Sequence, residues 1–316
     1  MPINYNGLFN QLNRKKINLS TMSEDLHISS AIRAKFKKGD YVSLRTLESI
    51  CKYLGVKLCD IVEFETVSNE SILYHRLNEE MNHKIKGGIY HETQILLTYN
   101  SNHIEGSMLS IDQTRYIFET NTIGANEKES VNVDDIIETQ NHFRCIDYMI
   151  KTALEPLTEE LIKDLHRILK TSTSDASLDW FAVGDYKKRA NMVGGKDTIK
   201  PTEVKNNMEK LIGLYENKES YEFEDIIQFH YEFECIHPFQ DANGRVGRLI
   251  AFKECLRHGY IPFTIDERLK MFYYRGLSKW KDEKGYLLDT CLTGQDEYKK
   301  LLYRFDINMD KSGKKL

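Results

Sequence analysis

The sequence predicts an all-α protein with one small β-hairpin and an N-terminal helix-turn-helix domain. Three observations carry that expectation. Apolar residues recur at three- and four-residue spacing through most of the 316 residues. Ser and Thr stand just ahead of several of these stretches and Gly just behind, which are helix start and stop signals. Residues 188–200 alone combine β-formers, paired glycines and turn residues as a hairpin would.

The length suffices for a buried core and suggests two or three domains. No apolar run reaches spanning length and no signal peptide is seen, so no membrane partner is expected and the cytoplasm is the expected compartment. Six cysteines are scattered without a CxxC pair, which argues against a zinc site or a disulfide framework. Cys235 is expected to be buried and structural rather than nucleophilic. The net charge of −4 does not mark the whole chain as a nucleic-acid binder. It is unevenly spread: residues 1–66 hold ten Lys and Arg against seven Asp and Glu.

Residues 1–66 read as four or five short helices. YNGLFNQLNRK has helical spacing, Ser20 or Thr21 caps the next segment, Ser29 or Ser30 caps AIRAKFKKG, and Ser43 caps LRTLESICKYLG. Gly39 and Gly55 end the last two. The tight second and third helices make a helix-turn-helix. The stretch KKGDYVSLRTLESICKYLGVKLCDIVEF resembles the Cro/repressor-type helix-turn-helix family. That resemblance implies DNA as a partner of residues 1–66, with the third helix in the major groove. Ser29, Ser30, Arg33, Lys35, Lys37 and Lys38 are the candidate contacts, the lysines toward phosphate.

Residues 67–136 read as one or two long helices broken at Gly87 and Gly88. Glu105 stands before a stop at Gly106, and Ser110 caps the following helix. A carboxylate near a helix C-terminus is unfavourably placed, which argues for a partner elsewhere. The stretch 121–132 reads as a loop. VDDIIETQNHFRCIDYMIK starts near Asp134 or Asp135, and Thr158 caps LTEELIKDLHRILKT. His142, His166 and His230 are expected to be core histidines, with no third ligand at metal spacing. Helices follow over TEVKNNMEKLIGLYEN, EDIIQFHYEFECI, DERLKMFYYRGLSKWK and QDEYKKLLYRF, and DKSGKKL is a frayed tail.

Residues 237–248, HPFQDANGRVGR, carry the chemistry. Pro238 breaks the preceding helix. Asp241 and Asn243 are N-cap candidates for GRVGRLIAFKECL. A tight loop running into a helix N-terminus holds anions, because free N–H groups and the helix dipole point at it. Arg245 and Arg248 lie near one helix face and can grip two phosphates. Asp241 can hold a divalent cation bridging phosphates. His237, with a reference pKa near ~6.5, can accept a proton at neutral pH. These are the parts needed to transfer a phosphorus group, and Phe239 is expected to anchor the loop in the core.

The stretch resembles the Fic family signature H-x-F-x-[D/E]-[G/A]-N-[G/K]-R-x-x-R at His237, Phe239, Asp241, Ala242, Asn243, Gly244, Arg245 and Arg248. Ser101–Gly106 resembles the family's inhibitory helix [S/T]-x-x-x-E-[G/N], which implies the subclass that carries it N-terminal to the core. WFAVGDYKKRANMVGGKDTIKP resembles the family's flap, with Val193, Gly194, Gly195 and Lys196 bordering the nucleotide. YYRGL resembles Y-Y-x-A-L, which makes Tyr273 and Tyr274 adenine-stacking candidates. The sequence departs at Lys281, where the family commonly has asparagine.

The resemblance implies four segments: residues 1–66, an inhibitory region 67–136, a catalytic core 137–300 and a tail 301–316. It implies a nucleotidyltransferase that moves AMP from ATP, with Mg2+, to a Ser, Thr or Tyr hydroxyl of a protein, the chain itself included, and a homodimer. His237 would take the hydroxyl proton and Asp241 would hold the metal. Ala242, Asn243 and Gly244 would orient the α-phosphate, and Arg245 would bind the β-phosphate. Arg248 would bind the γ-phosphate or Glu105, with Ser101 beside it, as the inhibitory contact. Two other readings use the same residues: a hydrolase that removes AMP, and a DNA-binding regulator whose core senses nucleotide.

Overall fold

The computed structural model describes residues 3–64, 71–124, 130–307 and 309. It divides into two compact units, Met1–Asn69 and Glu70–Leu316. The described residues of the regions expected at 67–136, 137–300 and 301–316 lie in the second unit.

In the N-terminal unit, α1 (Asn6–Lys15), α2 (Leu19–Asp25), α3 (Ser30–Lys38) and α4 (Leu44–Leu54) follow in turn. Ser29 and Ser43 cap α3 and α4, and Gly39 and Gly55 end them in left-handed geometry, as expected. The cap of α2 is Asn18, not Ser20 or Thr21, which lie inside the helix. Asn accepts an N-cap bond as well as Ser does, so the side chain one turn earlier captures the start. Tyr5, Leu8, Leu12, Met22, Phe36, Leu47, Ile50 and Leu54 form the core. An unforeseen strand pair, β1 (Ile3–Asn4) with β2 (Glu63–Phe64), brings the two ends of the unit together.

The larger unit begins with α5 (Ile72–His83), α6 (Ile89–His103), α7 (Ile111–Thr120), α8 (Val133–Lys151) and α9 (Glu159–Lys170). The hairpin β3 (Met192–Val193) and β4 (Lys196–Asp197) follows. Then come α10 (Pro201–Glu216), α11 (Phe223–Ile236), α12 (Asn243–Arg257), α13 (Glu267–Lys279) and α14 (Gly285–Arg304). Ser110 and Gln113 form a reciprocal capping box on α7, and Thr158 caps α9. Asn132, rather than Asp134 or Asp135, caps α8. Residues 125–129 of the expected loop and the tail DKSGKKL lie outside the described residues. The last helix starts ten residues before the expected QDEYKKLLYRF.

The hairpin turn is Gly194-Gly195, both at positive φ, between the pair Val193 and Lys196. Two left-handed residues in a two-residue loop match the strand twist, and glycine adopts them without steric cost.

Helix α12 is the axis of this unit. All its residues but Gly244 and Arg257 are buried, as befits a helix packed on every side. It meets α11, α8, α9, α5 and α6. Two charges lie in that core. Lys253 donates to Glu254 Oε1 at 2.7 Å and to the carbonyl of Glu155 at 2.6 Å. Glu254 also accepts from Tyr215 at 3.0 Å and Arg257 at 3.3 Å. Removing Glu254 leaves the Lys253 ammonium without its buried counter-charge. Glu254→Ala is expected to lose about 3–5 kcal/mol of stability, read from the guanidinium unfolding midpoint; a loss below about 1 kcal/mol would show that the cluster is not structural.

Candidate active site

Helix α11 ends at Ile236, and His237 takes a left-handed conformation with φ 49° as its cap. Pro238 then turns the chain. Phe239 is fully buried and stacks on His166 at 4.1 Å between ring centres. His166 accepts at Nδ1 from the Gly184 amide at 2.9 Å, so it braces the loop as a core histidine.

Asn243 closes the loop on itself. Its Oδ1 accepts from the Phe239 amide at 2.8 Å and its Nδ2 donates to the Phe239 carbonyl at 2.9 Å. This corrects one expectation: the side chain is not the helix cap, because its Oδ1 and one Nδ2 hydrogen are taken up by Phe239, which leaves the second Nδ2 hydrogen. The N-cap is Ala242, held at φ 64° with no side-chain bond. The amides of Asn243, Gly244 and Arg245 are those an α-helix leaves without intrahelical acceptors, and such a helix end favours an anion.

A carboxylate already stands there. After α6 ends, the Glu105 amide bonds to the Asn102 carbonyl at 3.1 Å, and buried Ile104 pins the turn. Glu105 Oε1 accepts from Arg248 Nη2 at 2.7 Å. A Cβ built on Gly244 would lie 2.3 Å from that oxygen, so only glycine leaves room for it. Ser101 also binds the guanidinium: its Oγ accepts from Nε at 3.1 Å and its carbonyl from Nη2 at 3.0 Å. Arg248 Nη1 is buried and has no partner. The partner that the helix-end glutamate lacked is thus the positive end of another helix.

Asp241 is about half exposed and accepts from Lys170 at 2.8 Å and Arg245 at 3.4 Å. Burial opposes its charge, but Arg245 and Lys170 outweigh that and hold its pKa down to about 2. Arg245 is buried and also forks onto Glu138. Lys170 and Glu138 were not singled out from sequence. They join this cluster from α9 and α8, 71 and 107 residues from their partners on the loop and α12.

His237 is half-buried, with Nδ1 enclosed and unpartnered. Burial, helped by nearby Lys187, lowers its pKa to about 4. The imidazole is therefore neutral at pH 7. Lys187 was also missed. It is buried and donates to Asn191 at 2.8 Å and Thr198 at 2.6 Å, and its backbone amide bonds to the Pro238 carbonyl at 2.9 Å. Asn191 in turn donates to the Phe239 carbonyl at 3.1 Å. The base of the hairpin is thereby tied to the histidine loop, while Val193, Gly194 and Gly195 stay exposed and Lys196 pairs through its backbone.

Tyr273 is corrected. It is 1% exposed, its hydroxyl lies 2.6 Å from His230 Nε2, and its ring stands 6.0 Å from the Arg248 guanidinium. It backs the arginine and has no free face for a base. Tyr274 is partly exposed and donates to the Ile104 carbonyl at 3.2 Å, beside Glu105. Cys235 is exposed, not buried, because it faces outward on α11. It borders a groove of about 580 Å³ with Tyr231, Ile236, Trp280 and Lys281.

Within the N-terminal unit, Ser30, Lys35, Lys37 and Lys38 are exposed on α3. Ser29 caps that helix, Arg33 donates to Ser20 Oγ at 3.2 Å, and Lys35 donates to the Tyr41 carbonyl at 3.2 Å.

Residues 156–254 match the Fic/DOC family model. The chain carries a Fic/DOC-family domain. Residues 8–66 match the Cro/C1-type helix-turn-helix DNA-binding domain. The protein adenylyltransferase Fic of Aedes aegypti is 26% identical over 186 residues, covering 58% of this chain and 36% of that one. Protein adenylyltransferase fic-1 of Caenorhabditis elegans is 24% identical over 212 residues, covering 64% and 40%. The chain thus spans well under half the length of these curated relatives. Among solved structures, a Fic-domain-containing signaling protein from Bacteroides thetaiotaomicron aligns at a TM-score of 0.59 and 23% identity, over 75% of this chain and 96% of that one. Caenorhabditis elegans Fic-1 aligns at 0.59 and 19%, over 74% and 71%. These likenesses establish the Fic fold. Among the described residues no helix is long and apolar enough to cross a membrane.

The lowered basicity of His237 is open to direct measurement. An NMR titration of its ring signals should show the neutral form persisting as pH falls to about 5, with protonation near 4; a midpoint of about 6 or above would contradict the burial argument.

Proposed function

We propose that the larger unit transfers AMP from ATP to a hydroxyl of a protein and that Glu105 restrains it. The observation that carries this reading is the Glu105 carboxylate seated on the α12 N-terminus against Arg248. A carboxylate in that position marks an anion site, and the unpartnered Nη1 of Arg248 offers a further donor there.

In the productive state Glu105 would withdraw and the triphosphate would take its place. Arg248 would hold the γ-phosphate. The amides of Asn243 and Gly244 would face the α-phosphate, where charge builds up. Arg245 would turn toward the β-phosphate from its place on Glu138. The target segment would lie along the exposed hairpin edge as an added strand. Neutral His237 would accept the hydroxyl proton as the hydroxyl oxygen bonds to the α-phosphorus. The bond to pyrophosphate breaks with its electrons on the leaving group. With Glu105 in place the nucleotide would sit misaligned for in-line attack.

Asp241 fits a Mg2+ ion of the kind held by one or two carboxylates together with substrate phosphates. It is charged, partly open and beside the anion site, and among the described residues no cluster of three or more His, Cys, Asp or Glu would bind a metal alone. When bound, such an ion draws charge from the phosphate oxygens.

The base would lie in the groove beginning at Ile236, with Tyr231 and Trp280 along it and Lys281 at its rim. An ammonium only donates hydrogen bonds, and so does the amino group of adenine. Lys281→Asn, which adds an acceptor, should raise the preference for ATP over UTP or GTP by about three- to tenfold in competition assays. Unaltered preference would place the base elsewhere.

The decisive assay is label transfer from [α-32P]ATP in cell lysate. Glu105→Gly should raise incorporation on the order of tenfold or more over the unaltered protein, and His237→Ala in that background should abolish it. Absence of label from every variant would overturn the reading, and loss of label from a pre-modified protein with intact Glu105 alone would reverse the direction of reaction. For residues 1–66 we propose DNA contact through the exposed face of α3.

A further inference from the structure

The cluster around Asp241 contains a cation of the protein's own. Lys170 leaves the last turn of α9 and is 2% exposed. Its Nζ lies 2.8 Å from Asp241 Oδ2, 2.7 Å from Glu138 Oε1 and 3.0 Å from Asp175 Oδ2. An ammonium has three donor hydrogens and no acceptor. Here three carboxylates take up all three, from α8, from the turn after α9 and from the histidine loop. Each anchor is fixed. Glu138 is also forked by Arg245. The turn bearing Asp175 is tied down by Asp134, which accepts from the Ser174 amide at 2.9 Å. The Asp241 loop is closed by Asn243.

We propose that Lys170 is a positioning residue that acts as a resident counter-cation for Asp241. It competes there with the divalent ion and makes metal binding depend on arrival of the nucleotide. This inference rests on the reading of Asp241 as the metal-holding carboxylate.

The argument is one of charge. Asp241, Glu138 and Asp175 carry three negative charges against Lys170 and Arg245. An incoming divalent cation alone must displace or face an ammonium less than 3 Å from its ligand, and like charges at that range repel strongly. A nucleotide reverses the balance, because its phosphates add negative charge beside Lys170 and Arg245. Metal and nucleotide would then enter together. A positive charge tethered by a buried side chain also stays while substrate and product exchange, so Asp241 remains charged and aimed between turnovers.

The test uses the full chain with Mn2+ as the probe, followed by electron paramagnetic resonance, with and without ADP. The unaltered protein should bind Mn2+ weakly alone and more tightly with ADP. Lys170→Met keeps the stem and removes the charge. It should bind Mn2+ without nucleotide at least about tenfold more tightly, because an adjacent cation lost is worth one or more pK units to a carboxylate. Asp175→Asn works in the opposite sense. With one fewer carboxylate to share it, Lys170 bears harder on Asp241, and Mn2+ binding should weaken about threefold. Asp175 is partly exposed and outside the loop, so this arm stands even if Lys170→Met fails to fold, which circular dichroism reports. Unchanged Mn2+ affinity in folded Lys170→Met, or unchanged or tighter binding in Asp175→Asn, overturns the proposal. Neither readout needs AMP transfer: Mn2+ affinities that shift as stated while no label is transferred would sink the adenylyltransfer reading alone.

Discussion

A buried guanidinium must have a carboxylate or an anion against it, and Arg248 is the group on which this structure turns. It lies on the central helix, bonded to Ser101 of α6 and to Glu105 in the turn after α6, and backed by Tyr273 of α13. One charge thus fixes the mutual position of three helices. The helix N-terminus beside it adds free amides, so the protein's own carboxylate settles where a ligand anion would go. The loop between His237 and Asn243, stacked on His166 and tied to the hairpin through Asn191, sets the imidazole beside that same place.

Local signals were legible wherever one residue acts on its near neighbours. Ser29, Ser43, Ser110 and Thr158 cap the helices they precede, and the Gly194-Gly195 turn makes the hairpin. The starts of α2 and α8 were misplaced because an asparagine competed with nearby residues for the same job. The motif residues are together because the motif is continuous, and Glu105 was legible through a second short pattern.

What the sequence could not disclose is pairing between distant side chains. Lys170 looks like an ordinary cation in the last turn of a helix, where the dipole favours one. Only the fold brings it to Asp241. The pattern YYRGL likewise does not say which tyrosine faces inward, and packing turns Tyr273 onto Arg248. Asn243 carried two sequence roles, cap and ligand. The ring it makes with Phe239 excludes the first for its side chain and leaves one Nδ2 hydrogen for the second.

If Glu105 acts as the proposed restraint, glycine at 244 and arginine at 248 narrow the ways in which it can fail. A larger residue at 244 would push the Glu105 carboxylate aside, but it would also fill the space proposed for an incoming ligand. On the proposed reading, altering Arg248 would set the glutamate loose and at the same time take away the grip on a phosphate tail. Release without loss must come from the other side, from Ser101 through Gly106 or from whatever props up that short turn. On that reading most random damage to the region would silence the proposed activity, and only a narrow band of changes would leave it running unchecked.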